Sequence, residues 1–324
     1  TKKVDGSNMS LKNIIIVLFL LILIVGYALL KPEQKIQNHS SKNSIVLSTF
    51  ALYDAAKHIG KDKFKLSSVL PFGSDAHSYE LTPKKMAEIQ DSSLFVYSGA
   101  SLEPWISKIS SPNMLDMSKY VNLIHLEEDH HHHHHHEDES HHEDEEASHK
   151  EAIDPHYWLD ISNMIKVAQK LTLEFVKLSP KNKDFFESNK NEYIKTLKEM
   201  DKRYKEELSL CKKDTIIVNH NAFSYLGKTY NFHIESINGL STESMPSPDD
   251  VKHILHEIKE KNVSIIFFES FASDKLIKSI AKDVNVKVDT LQPLGNITKD
   301  EQNLTYAEIM DKNIRKIKQA LECR

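Results

Sequence analysis

Nineteen histidines are the first chemistry that this sequence offers, and eleven of them crowd into residues 125–149, "HLEEDHHHHHHHEDESHHEDEEASH". The other eight are scattered, and three of those stand in turn or strand-end contexts. His77 lies in "GSDAHSYELTP", a loop before a capped helix. His156 lies in "DPHYWLD", where Pro155 and the flanking acids mark a turn, and His220 ends the apolar run "TIIVNH". Imidazole is the commonest metal-binding side chain. Three of them suit Zn2+ at a Zn–N distance of about 2.0–2.1 Å, with a carboxylate, an amide or water as the fourth donor. Any one of the three alone would read as a solvated or hydrogen-bonded loop residue. Three in such contexts, beside a histidine-rich tract, point to a shared ion.

Other chemistries find no support. His39 falls in a linker, His58 on a helix and His233 in a strand, while His253 and His256 sit at i and i+3 off the apolar face of their helix. Those five read as structural or solvated. "HILHE" matches neither zinc-protease spacing, "GASLE" lacks the second glycine of a nucleophile elbow, and no glycine-rich phosphate loop occurs. Residues 125–149 hold ten Asp and Glu and no Lys or Arg, a local charge of −10 against −5 for the whole chain, so the remainder carries +5. No basic cluster interleaved with aromatics is present, which excludes a nucleic-acid binder.

The elements that must position the three histidines follow a βαβ rhythm. Strands are expected at 44–48, 65–70, 94–99 and 113–118, with short helices over "ALYDAAKHIG", "TPKKMAEIQD" and "LEPWISKIS". Helical spacing resumes over 162–178, and 181–208 reads as one long charged helix with a sparse apolar stripe, suited to a strut touching two bodies. A second βαβ set follows, with strands at 215–219, 232–237, 264–269 and 286–291 and helices at 221–230, 248–261, 272–282 and 304–322. The expected fold is α/β: two similar lobes with parallel sheets, joined by one long rigid helix, their facing carboxyl ends forming a cleft.

The termini and cysteines add the setting. Residues 1–8 precede the first methionine and read as a vector-derived remnant; Met9 opens a leader whose apolar run, 14–30, reads as an export signal or a signal-anchor, with cleavage near Gly26–Ala28 or retention both open. A polar linker covers 31–43, the first lobe 44–180 with a disordered loop at 125–150, the linking helix 181–210 and the second lobe 211–324. Export makes a disulfide between Cys211 and Cys323 plausible, two free thiols being the alternative.

Six ordered stretches, "SDAHSYELTP", "LFVYSGASLEPWI", "DPHYWLD", "VNHNAFSYL", "GLSTESMPSP" and "TLQPLG", give the chain from about residue 44 onward a specific resemblance. It resembles the zinc-uptake (ZnuA-like) receptors of bacterial ABC importers, within the metal-binding periplasmic proteins. The resemblance implies a metal held between the lobes by His77, His156 and His220. It also implies that the acidic histidine tract is the mobile loop of zinc-type members, and that manganese-type relatives differ in the third histidine and in an aspartate before the last Pro-Leu-Gly. Here Gln292 stands at that position, and a neutral amide is a poor Zn2+ ligand. Water, Gln292, Glu80 or Glu269 could be the fourth ligand, with Glu80 and Glu269 also serving as acceptors that orient the ligating rings. Trp105 and Trp158 read as packing anchors. The tract, through His130, His131, His132, His133, His134, His135, His136, His141 and His142, reads as an auxiliary, weak, multi-site zinc collector.

On this reading Zn2+ is cargo and not a catalytic cofactor. The partners are an ABC-type permease and its ATPase, with no nucleic acid, and the receptor is a monomer working in the periplasm or at the outer face of the inner membrane. Nitrogen donors favour zinc over manganese, the strut suggests small lobe movements, and affinity should fall below about pH 6.5 as the rings take up protons. Two other classes stay open: a secreted zinc-dependent hydrolase using the three histidines and an activated water, and a metal-sequestering surface adhesin.

Overall fold

The computed structural model describes residues 12, 43–126, 152–237, 247–269 and 275–324. The leader other than Lys12, the histidines at 130–136, 141 and 142, and most of "GLSTESMPSP" lie outside the described residues. Among the described residues no helix is long and apolar enough to cross a membrane.

Short, continuous apolar runs become the buried central strands, because a sheet covered on both faces has no solvent side to make polar there, while the edge strands KLSS and HIES stay half-exposed. β1 (Ser44–Leu47), β2 (Lys65–Ser68), β3 (Leu94–Tyr97) and β4 (Met114–Asp116) form a parallel sheet ordered β2-β1-β3-β4. Val46 stands between Ser67 and Phe95 in register. A two-stranded antiparallel ribbon comes next, β5 (Ile124–Leu126) against β6 (Ala152–Asp154), with Ile124 opposite Asp154. The second parallel sheet takes β7 (Thr215–Val218), β8 (His233–Ser236), β9 (Ile265–Glu269) and β10 (Lys287–Leu291) in the order β10-β9-β7-β8. Read from its other edge, that order repeats the first sheet: second, first, third, fourth. In each sheet the winding reverses between the first and third strands, and the crevice beyond their carboxyl ends is where such folds place ligands.

The helices cover these sheets. α1 (Phe50–Gly60) and α2 (Pro83–Asp91) belong to the first sheet; α2 opens as its sequence predicts, with Thr82 Oγ1 accepting from Lys85 N–H and Pro83 in the first turn. Over 102–110, where a short helix is expected, the chain makes only a 3-10 turn, Pro104–Lys108. Five residues are too few to carry an α-helical ladder. α3 (Ile161–Leu178) leads into α4 (Lys183–Glu207), whose 25 residues span about 38 Å. α4 buries Phe186, Asn189, Tyr193, Leu197, Met200 and Tyr204, a stripe at three- and four-residue spacing. That stripe lies against α1 and α3 on one side and α8 (Tyr306–Ala320) on the other.

α5 (Ser224–Tyr230), α6 (Pro248–Glu260) and α7 (Lys275–Val284) complete the second sheet's cover. α6 has the Ser247–Asp250 capping box and turns Ile254 and Ile258 inward. One apolar core runs without a break from Ile45, Ala55 and Leu171 through Leu197 to Ile216, Leu226 and Ile314, so the seam between the sheets is packed like an interior. Cys211 and Cys323 are joined by a disulfide that fastens the chain end beyond α8 to the approach of β7.

Candidate metal centre

Each of the three histidines arrives from a different carboxyl-end loop. His77 follows β2 through a turn at 71–74, in which Ser74 N–H meets Pro71 O at 3.2 Å and Gly73 takes φ +76°, a backbone that glycine adopts freely. Asp75 Oδ1 then accepts the His77 backbone N–H at 2.9 Å. His156 follows the ribbon strand β6. There Asp154 Oδ1 lies 2.9 Å from its backbone nitrogen and 2.7 Å from ring Nδ1. His220 stands two residues beyond β7, with its Nδ1 at 2.5 Å from Oε1 of Glu269, the last residue of β9. β7 and β9 are the first and third strands of their sheet, so His220 and Glu269 straddle its switch point. Asn219 Oδ1 accepts the Glu269 N–H at 2.9 Å and holds the pair in place.

An ionised carboxylate can only accept, so Nδ1 of His156 and of His220 carries the hydrogen and Nε2 becomes the ligand atom of each. His77 Nε2 stands 3.1 Å from His156 Nε2, and one ring nitrogen from each of the three lies within 4.8 Å of the others. Nitrogens bound tetrahedrally at about 2.0–2.1 Å stand about 3.3 Å apart, close to the His77–His156 separation. The ring centroids are 5.2, 5.4 and 5.0 Å apart in the pairs 77–156, 77–220 and 156–220.

Electrostatics divides the three rings. Burial, and then the neighbouring His156 and His220 rings, push His77 well below the ordinary histidine value, to about 3, so it stays neutral. Burial also pulls His220 down, but the charge and hydrogen bond of Glu269, with Asp75 and Asp154 beyond, more than reverse this and its pKa is raised. The rings, Glu269 and Trp158 enclose a cavity of about 20 Å³, with Leu102, Pro293 and Asn296 among its other walls. That admits a water-sized body.

The Leu102 wall has its own support. Glu103 is buried and accepts from the N–H groups of Ser98 (2.8 Å) and Gly99 (3.0 Å), and burial raises its carboxyl pKa to about 7. Gly99, Ala100 and Ser101 all take positive φ between those donors and Leu102.

The other candidates distribute themselves around the cluster. Glu269 lines it; Glu80 is exposed and does not. Gln292 is buried with Nε2 on Glu301 Oε2 at 2.8 Å, and it is not among the cavity walls. Trp105 and Trp158 are buried, and Trp158 Nε1 donates to Pro293 O at 2.7 Å. His58 stacks on Tyr193, and His253 and His256 face Glu235 and Glu260. Sequence reading missed Asp154, Asn219 and Asn296. Asp154 alone had a visible signal, an acid two residues before a histidine across a proline.

Two parallel-sheet lobes around a shared cleft, spanned by one long helix, are the architecture of a periplasmic binding protein. The family model described as zinc-uptake complex component A, periplasmic (ZnuA), matches residues 45–320, and the chain belongs to that family. It is 34% identical over 311 residues to the high-affinity zinc uptake system protein ZnuA of Bacillus subtilis (strain 168), covering 94% of each chain. Among solved structures it resembles the Zn(II)-bound ZnuA-like domain of Streptococcus pneumoniae AdcA, with TM-score 0.70, 26% identity, and coverage of 86% of this chain and 99% of that one. It also resembles the laminin-binding protein Lmb of Streptococcus agalactiae, described as bifunctional, with adhesin and metal-transporting activity. That match has TM-score 0.74, 28% identity, and coverage of 86% of this chain and 99% of that one.

Proposed function

We propose that this chain captures Zn2+ with high affinity outside the inner membrane, as a monomer, and passes it to an ABC-type permease driven by its ATPase. His77, His156 and His220 are the ligands, through Nε2 of the last two. The observation that carries the reading is the convergence of three ring nitrogens from separate loops within 4.8 Å, two of the rings being backed on Nδ1 by buried carboxylates. Carboxylate-backed imidazole is the arrangement in which metal-ligating histidines are held in tautomer and orientation. Asp154 and Glu269 also supply, at one remove, negative charge that three neutral rings lack. The fourth donor is solvent in the small cavity or the free oxygen of Glu269, and Glu80 and Gln292 are set aside by their positions. Zinc held by neutral nitrogens can be handed on, which suits a receptor. Membership of a transport-receptor family speaks against the hydrolase reading. For the adhesin reading, the likeness to Lmb is the support. The histidines at 130–136, 141 and 142 act as a weak auxiliary collector, tethered at both ends by the β5–β6 ribbon, whose second strand ends two residues before His156.

The test is zinc calorimetry with a competing chelator on the full chain, on a chain in which residues 127–151 are replaced by a short Gly-Ser turn, and on His77→Ala/His156→Ala/His220→Ala. One tight site should survive the loop replacement and vanish in the triple variant. A tight site that persists in the triple variant would refute the assignment.

A further inference from the structure

The five residues Pro293–Ile297 follow β10 of the second lobe, yet they bond to the first. Trp158 Nε1 donates to Pro293 O (2.7 Å), Ala51 N–H to Leu294 O (3.3 Å), Phe50 N–H to Gly295 O (2.9 Å) and Gly73 N–H to Ile297 O (2.9 Å). Asn296 adds its side chain, with Nδ2 donating to Pro71 O at 2.6 Å and to Ser74 O at 2.8 Å. Both amide hydrogens are thereby engaged on the single turn 71–74, and Asn296 is only 5% exposed. Leu294, fully buried, takes φ +58°, a backbone that a branched side chain rarely adopts, so the loop is held in shape by what surrounds it.

Only Asp75 and Ala76 separate that turn from His77. His156 and His220 are each fixed at the ring by a carboxylate, whereas His77 is placed through its backbone, by Asp75 and by the turn. We propose that Asn296 is a positioning residue for zinc: by clasping the His77 turn to the opposite lobe it keeps that ring in register with His156 and His220, and so sets how fast the ion leaves. The inference rests on the reading of these three histidines as the zinc ligands. An amide fits the task because its two N–H groups form a fork for two carbonyls without bringing charge to the cavity wall. The ligand held through its backbone is then the one whose departure begins release, and Asn296 is the catch on it.

The experiment is stopped-flow transfer of Zn2+, loaded at one equivalent on the full chain, to an excess of a chromogenic chelator. Asn296→Ala should speed release on the order of tenfold, as outer partners of metal ligands typically do, while the circular dichroism of the zinc-free chain stays as in the parent. Asn296→Leu, which keeps the branched heavy-atom skeleton and loses both donors, should do the same and stands in should the alanine variant not fold. In a His77→Ala background neither substitution should change the rate further, because the ring that Asn296 positions is gone. Equal acceleration in both backgrounds would overturn the proposal in favour of general loosening, and so would no acceleration in the parent. If His77→Ala itself leaves zinc affinity and release unchanged, the ligand assignment fails, and the role of Asn296 with it.

Discussion

Replacing Glu269 by Gln keeps the shape of the side chain behind His220 and removes its charge. Glu269 is 4% exposed and its Oε1 is 2.5 Å from His220 Nδ1, so water cannot take over its part. Two effects of opposite sign follow. Where His220 is neutral, the variant ring is a weaker donor and less firmly aimed, which costs about 10–100-fold in zinc affinity, or about 1.4–2.7 kcal/mol. Where His220 is protonated, the proton competes with zinc, and affinity falls about tenfold per pH unit. In the parent that decline starts above 6.5, because Glu269 raises the ring against the effect of burial. In the variant burial is left as the leading influence, so the decline starts lower. Plots of log affinity against pH should therefore stand apart near pH 8 and converge as the pH drops. The zinc-free fold changes in the opposite sense. A raised histidine adds stability that is fully present below its unfolded pKa of about 6.5 and is lost as the pH rises through the folded value, and the variant forfeits this. Chelator-competition calorimetry from about pH 5 to pH 8.5 reads both effects. Parallel curves, or equal affinity near pH 8, would refute the claim that Glu269 acts through His220.

Removing the disulfide with Cys211→Ser/Cys323→Ser opens a closure 112 residues apart in sequence, worth about 4.8 kcal/mol in the chain-entropy account, so the melting temperature should fall by about 10–20 °C in calorimetry. A drop of only a few degrees would show that the second lobe is held mainly by its core. Trp158→Phe leaves the Pro293 carbonyl without its indole donor in the interior and should cost about 1–3 kcal/mol in urea denaturation. In a Trp105→Phe chain the emission of Trp158, edge-on to His156 at 5.5 Å between ring centroids, should respond to zinc and saturate at one equivalent for the tight site. Gly99→Ala would set a Cβ 2.1 Å from Asp116 Oδ1 at φ +78° and should cost about 2–3 kcal/mol; an unchanged denaturation midpoint would refute the account of the 98–103 loop.

The parallel strands, the α4 strut and the capped starts of α2 and α6 were legible because each is written locally, in apolar runs, in period, or in a Ser/Thr followed by proline. The three histidines stood out for a related reason: each sits just after an element, where these folds open their cleft. What could not be read is what depends on distant pairing. Asn296 meets Pro71 and Ser74 across most of the chain, and no spacing rule connects "PLGNI" to "PFGS". β5 and β6 are three residues each, too short to carry a period, and they lie on either side of the histidine tract. Gln292 illustrates the limit from the other side. Its place in a ligand-bearing motif suggested the cleft, but the capping box at Thr298–Glu301 offered its amide a carboxylate, and the side chain turned there.

The start of α1 shows what such pairing means for how the molecule is made. Thr49 provides no side-chain cap, and the first N–H groups of the helix, on Phe50 and Ala51, are met by carbonyls of Gly295 and Leu294. A helix near the beginning of the chain thus stays unfinished until a segment near its end has emerged. The first lobe cannot mature ahead of the second, so a truncation before residue 293 should leave it frayed and open to proteases.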